Sequence, residues 1–365
     1  MPVSAIDSFN RLQPVNFKQP VFRSEYVKIT EIKDDTVEIS EENKVQRKEK
    51  LSTGMKLLLG IGGAGIAIYG ALVTHKAITK PSLEALQKDF KEIFRRDVSL
   101  DEIPEMLKKY KEILNIKDEK EFCEKAFEQV KKDYGYGDTD IKMILDESTD
   151  GILGGGWHST GSEFRIYYKN ILKYNHNIFD KQTKANILGT FFHEFQHVKQ
   201  TEYCIRTDLD KYVNSIVQDE ALNKVYIQGL NALLANNLKL AEVAAKKNIT
   251  KEQLITQAKH ELEVIKTKGY KALPEYVTEV NAQIGVIKAR LNDLFGKFEK
   301  FKPGSEEYKM GEKYTENYKN YIEAQKGSEN EEYKAQLIEK EAFNVESLSK
   351  DIPKRLSSIW NVFGY

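Results

Sequence analysis

Residues 193–197 read His193-Glu194-Phe195-Gln196-His197, and the chain is best read outward from this pentad. On an α-helix, positions i and i+4 lie on one face, one turn apart. Both imidazoles can therefore reach a single metal ion. Glu194 projects toward the same place, where it can take a proton from a water on that ion. The flanks support a helix: Ala185, Ile187, Leu188, Phe191, Phe192, Phe195 and Val198 recur at helical spacing, with Gly189 the one internal breaker. The periodicity predicts a helix over about 181–203. The plainer alternative is an amphipathic helix that happens to carry two histidines.

A hydrolytic zinc site takes three protein ligands and leaves one position for water. The H-E-x-x-H-x-x-G-x-x-H extension of the metzincins is excluded, because Gln200 and Tyr203 occupy its Gly and His positions. The remaining downstream histidine, His260, stands alone on a charged helix and reads as surface. A carboxylate is the expected third ligand. Two segments offer one: Asp219-Glu220-Ala221, and the C-terminal stretch that runs from Tyr333 through Leu337, Glu339 and Glu341 to Ala342 and Phe343.

With its H-E-x-x-H followed far downstream by Tyr333, Glu339, Glu341 and Ala342, the chain resembles the gluzincin metallopeptidases. The resemblance implies a zincin-like core and Zn2+. It implies hydrolysis of peptide or protein substrates, with Glu194 as the catalytic base. It also implies that His193, His197 and Glu339 are the metal ligands, with Glu341 as the fallback and Glu220 the more remote choice. Two positions depart from the family pattern. Leu337 stands where Pro is usual, and Phe343 where an Asp orients a ligand histidine, so that orienting group must come from elsewhere. Glu339 and Glu341, at i and i+2, cannot both face the metal. Candidates for stabilising the oxyanion are Tyr333 and His158, the latter in the glycine-rich turn 154–161.

The other composition signals mostly exclude. Acidic and basic residues balance at 56 each, so no nucleic-acid partner is expected. Cys123 and Cys204 are too few for a disulfide framework. Residues 1–50 are polar and aperiodic, without the apolar core of a secretory signal, and read as disordered. Leu57 to Thr74 is a run of eighteen uncharged residues with small-x-x-x-small spacings. Within a unit 51–80, it is expected to be a single transmembrane helix anchoring the protein to a membrane. The excess of Lys and Arg before it places the catalytic part on the extracytoplasmic side.

From residue 81 the chain turns helical. Ser99-x-x-Glu102 and Asp118-x-x-Glu121 predict capped helices over 101–115 and 119–133. Residues 141–146, 152–157 and 163–168 are β-rich and predict a short antiparallel meander leading into the H-E-x-x-H helix. Residues 81–205 thus form the lead-in, sheet and site helix. Residues 206–330 read as a large helical insertion, and 331–365 as the C-terminal part of the catalytic domain, carrying the third ligand. The expected fold is α+β, mainly helical. Two other function classes fit the same features: a membrane-anchored helical interaction protein with an inactive zincin remnant, and a secreted toxin or effector protease.

Overall fold

The computed structural model describes residues 84–147, 155–157, 163–322 and 331–350. The described chain is mostly helical, with one small sheet. Helix α1 covers 84–94, followed by α2 (Glu102–Leu114) and α3 (Glu119–Asp133). Asp118 caps α3 by accepting the Glu121 N–H at 2.9 Å, and Ser99 Oγ accepts the Glu102 N–H at 3.3 Å. Asp118 therefore caps as expected, whereas Ser99 bonds Glu102 from outside the helix, whose N-cap position is Asp101 without a side-chain cap.

Strands β1 (Lys142–Leu145), β2 (Gly155–Trp157) and β3 (Glu163–Ile166) make a sheet of order β1-β3-β2. β1 runs parallel to β3 and β2 antiparallel to it, so the expected antiparallel meander is corrected to a mixed sheet. The reason lies in the side chains. β3 carries the buried Phe164 and Ile166 and takes the centre. β2 is Gly-Gly-Trp and takes the edge that lies against the site helix. Alternating hydrophobicity locates strands but says nothing of which strand sits between the other two. The end of the segment expected as the third strand instead opens a short helix, α4 (Tyr168–Tyr174).

Helix α5 (Lys181–Ile216) carries the H-E-x-x-H pentad and runs a full turn and more beyond its expected end, with a non-helical kink at Asp208. Asp180 caps it through the Thr183 N–H at 2.9 Å. Its middle is buried on every side, which is why a purely amphipathic pattern is weak there. Helices α6 (Asp219–Ala235), α7 (Asn237–Lys247), α8 (Lys251–Lys268), α9 (Pro274–Phe295) and α10 (Glu306–Lys319) follow, then α11 (Glu331–Ala335) and α12 (Leu337–Lys350). Pro274 opens α9 at its first turn. α6, α7 and α8 bury Leu222, Tyr226, Leu240 and Leu254 in two satellite clusters. The end of α9 and all of α10 and α12 join the main core around α5 through Leu291, Phe295, Tyr314, Tyr318 and Ile338. α10 reaches α5 closely because Gly311 has no side chain: a Cβ there would lie 2.7 Å from the Tyr203 carbonyl oxygen.

No helix among the described residues is long and apolar enough to cross a membrane. The expectation of a single-pass membrane protein, with its transmembrane segment and sidedness, is corrected accordingly. The Leu57–Thr74 run on which it rested lies outside the described residues, as do residues 1–50. The longest described helix, α5, is 36 residues but is interrupted by Glu194, Glu202, Arg206, Asp208, Asp210 and Lys211, and it is covered by protein.

Candidate metal centre

Two helices build the site. α5 presents His193, Glu194 and His197, and α12 presents Glu339; all four are fully buried. His193 Nε2 and His197 Nε2 lie 3.2 Å apart. Glu339 Oε2 is 3.6 Å from the first and 3.7 Å from the second. One ligand atom from each of His193, His197 and Glu339 lies within 4.8 Å of the others, and this group can hold a metal ion. Ala342 on α12 is small and fully buried, which permits the close approach of the two helices.

The two oxygens of Glu339 have different surroundings. Oε1 accepts from the Tyr321 hydroxyl at 2.9 Å, whereas Oε2, facing the imidazoles, is a buried acceptor with no hydrogen-bond partner. An orphaned buried carboxylate oxygen beside two imidazole nitrogens is costly unless a cation occupies the space between them. The donor set of two nitrogens and one oxygen suits zinc and its neighbours. Thiolates play no part here: Cys123 and Cys204 are buried elsewhere, and burial pushes both thiols up to about 12.

Each histidine is held from behind. Phe343 packs edge-on against His193, with ring centroids 4.7 Å apart, so it fills the position where a carboxylate was sought. That carboxylate is Glu346, whose Oε2 is 3.2 Å from His193 Nδ1. It sits one turn further along α12 than the family pattern places it, seven residues after Glu339 and on the same face. His197 Nδ1 is 2.8 Å from Gln200 Oε1. Such partners fix the rotation of a ligand imidazole and which nitrogen it offers.

Glu194 lies between α5 and the sheet. Its Oε2 accepts the Trp157 backbone N–H at 2.9 Å, and its Oε1 is buried without a partner. β2 comes this near because Gly155 has no Cβ; one there would sit 2.8 Å from Thr190 Cγ2 and 3.3 Å from Glu194 Cγ. Burial raises the Glu194 carboxyl well above the usual carboxylate range; the His193 charge opposes this, and the Glu339 charge adds to it.

Burial disfavours a charged His193, but Glu339, Glu346 and Glu194 outweigh it and raise the imidazole to about 10. Burial, and then the charge on His193, push His197 well below its ordinary value. Without a metal, then, one proton on His193 offsets part of the carboxylate charge. His193 must lose that proton to offer Nε2 as a ligand. Metal affinity should therefore rise with pH from neutrality toward about 10. One displaced proton corresponds to about tenfold per pH unit. Competition against a chelator of known pH dependence measures the slope, and a flat profile between pH 7 and 9 would contradict it.

The other sequence candidates fall elsewhere. Glu341, the fallback ligand, points away from the imidazoles and pairs with Arg95 Nη2 at 2.7 Å, as the i and i+2 geometry requires. Glu220 is exposed in the first turn of α6, and His260 is exposed on α8. Tyr333 is buried behind the site, edge-on to Tyr321 and Phe343. His158 lies outside the described residues. Glu346, Gln200 and Tyr321 were not anticipated. The first two could have been found by extending each ligand helix by a turn along the ligand face; Tyr321 lies in a connection and carried no signal.

No family model, curated protein or solved structure matches the chain.

Proposed function

We propose that the protein is a zinc-dependent metallopeptidase of gluzincin type. The observation that carries this reading is the convergence of His193, His197 and Glu339 with the orphaned Oε2 of Glu339 between them, beside a buried Glu194. His193, His197 and Glu339 would hold the ion, which would supply Lewis acidity toward a water and a carbonyl. Glu346 and Gln200 orient the two imidazoles. Trp157 holds one oxygen of Glu194 through its backbone N–H, which leaves the other to accept a proton from the attacking water. Glu194 then passes that proton to the leaving amine. The Glu346 carboxylate beside His193 Nδ1 favours this reading over an inactive remnant.

The expected result is about one zinc per chain after purification without chelator. His193→Ala and His197→Ala should each lose it, and peptide hydrolysis by the wild type should stop on chelation and return with zinc. Elemental analysis finding no metal in wild-type protein from zinc-replete cells would refute the reading.

A further inference from the structure

Arg95 and Glu341 have no place in the ligand set, yet they are joined to it. Gln200 decides how. Its Nε2 lies 2.9 Å from the Ile338 carbonyl oxygen and 3.2 Å from Glu341 Oε2, and both of these only accept. That end of the amide must therefore be the NH2, and the end facing His197 Nδ1 at 2.8 Å must be the oxygen. An amide oxygen carries no proton, so Nδ1 of His197 must supply one. The lone pair is left on Nε2, the nitrogen that faces His193 and Glu339. A single amide thus selects the tautomer that can ligate a metal.

Gln200 is itself held by a part-buried charge. Glu341 Oε2 accepts from Gln200, from the Tyr314 hydroxyl at 2.6 Å and from Arg95 Nη2 at 2.7 Å. The Arg95 guanidinium also bonds the Tyr314 hydroxyl. In the amide orientation that satisfies both of its groups, the Gln196 oxygen accepts from Arg95 Nε at 3.1 Å. Gln196 lies inside the H-E-x-x-H pentad and Glu341 two residues beyond Glu339. One guanidinium therefore spans both helices of the site. Arg95 ends α1 in a left-handed conformation (φ 49°), which residues with a Cβ adopt only where the surroundings hold them there.

We propose that Arg95 and Glu341 are positioning residues for His197, acting through Gln200 to fix its tautomer and ring orientation toward the metal. This rests on the reading of His193, His197 and Glu339 as a metal centre. An Arg–Glu pair that merely fastened α1 to α12 would not need to meet a glutamine whose other end reads a histidine. It would also tolerate any change at Gln200 that preserved packing.

The test uses the full-length chain and two readouts. Nitrogen-15 NMR of the metal-free protein should find His197 protonated at Nδ1 in wild type. That form should be lost in Gln200→Leu. Zinc competition and the visible spectrum of the cobalt(II)-loaded protein form the second readout. Gln200→Glu places a carboxylate against Glu341 and the Ile338 carbonyl, and should weaken zinc by about 10–100-fold. Adding Glu341→Gln removes one of the two facing carboxylate charges while an amide oxygen still accepts from Arg95 and Tyr314, and the double variant should regain about tenfold of that loss. Arg95→Met should shift the cobalt spectrum, and Arg95→Lys should shift it less. A wild-type His197 protonated at Nε2 would overturn the relay without need of any variant. So would a double variant no better than Gln200→Glu alone. Wild type that binds no zinc overturns the metal reading instead, whatever the tautomer.

Discussion

Glu194→Gln is expected to keep its zinc and its fold and to lose peptide hydrolysis by about 10²–10⁴-fold, the usual worth of a positioned general base. The substitution suits this site. The amide oxygen can still accept the Trp157 N–H, which now bonds Glu194 Oε2 at 2.9 Å, so β2 keeps its anchor. Burial already raises the carboxyl well above the usual range, so an uncharged isostere costs the fold little. What is lost is the atom that receives a proton, because an amide has no basic lone pair at neutral pH. Steady-state kinetics together with zinc content and thermal unfolding make the measurement. A variant that retains wild-type hydrolysis at full zinc occupancy would remove Glu194 from the mechanism.

The second large effect is expected at Glu339. Glu339→Gln should weaken zinc by more than the roughly 10–100-fold that loss of an outer partner costs, because a ligand and a charge both disappear. The amide can keep the Tyr321 bond through its oxygen, but the opposite end then presents NH2 toward two imidazoles. Glu220→Gln, on the exposed first turn of α6, is the matched control and should leave affinity unchanged. Chelator competition on the three proteins decides it. Equal affinity in Glu339→Gln and wild type would move the third ligand elsewhere.

The legible part of this site was the part written within single helices. The pentad at 193–197 announces itself because i and i+4 on a helix are neighbours whatever the fold does. Helix geometry said only that Glu339 and Glu341 could not both face the metal; the choice of Glu339 came from the resemblance. The capped start of α3 was legible for a similar reason, since Asp118 acts within a turn. Glu346 was hidden because the gluzincin pattern places its orienting carboxylate at the position of Phe343, one turn after the ligand. The chain satisfies the need a turn later, and an aromatic ring takes the nearer place against His193.

What failed was anything that depends on partners distant in sequence. Strand order could not be read from alternation, because β2 and β1 are both short and only packing against α5 decides which borders the site. The reach of α5 past residue 203 is sustained by burial against α10, which local propensity does not report. Arg95 precedes the pentad by nearly a hundred residues and sits in a conformation that composition disfavours. The apolar run at 57–74 was judged by length and charge alone, and no described helix supports the membrane assignment built on it.

The division of the site between α5 and α12 also orders events during synthesis. As a nascent chain leaves the ribosome, the two histidines and Glu194 emerge together, while Glu339 is still uncoded into peptide. At about 5–20 residues per second the interval is roughly 7–28 seconds. During it the growing chain has a base and two imidazoles but no third arm, and Gln200 has neither Ile338 nor Glu341 to turn it. Under the proposed function, hydrolytic competence is withheld until translation has passed α12. The long separation therefore sets an interval in synthesis during which the His193, His197 and Glu339 group is incomplete.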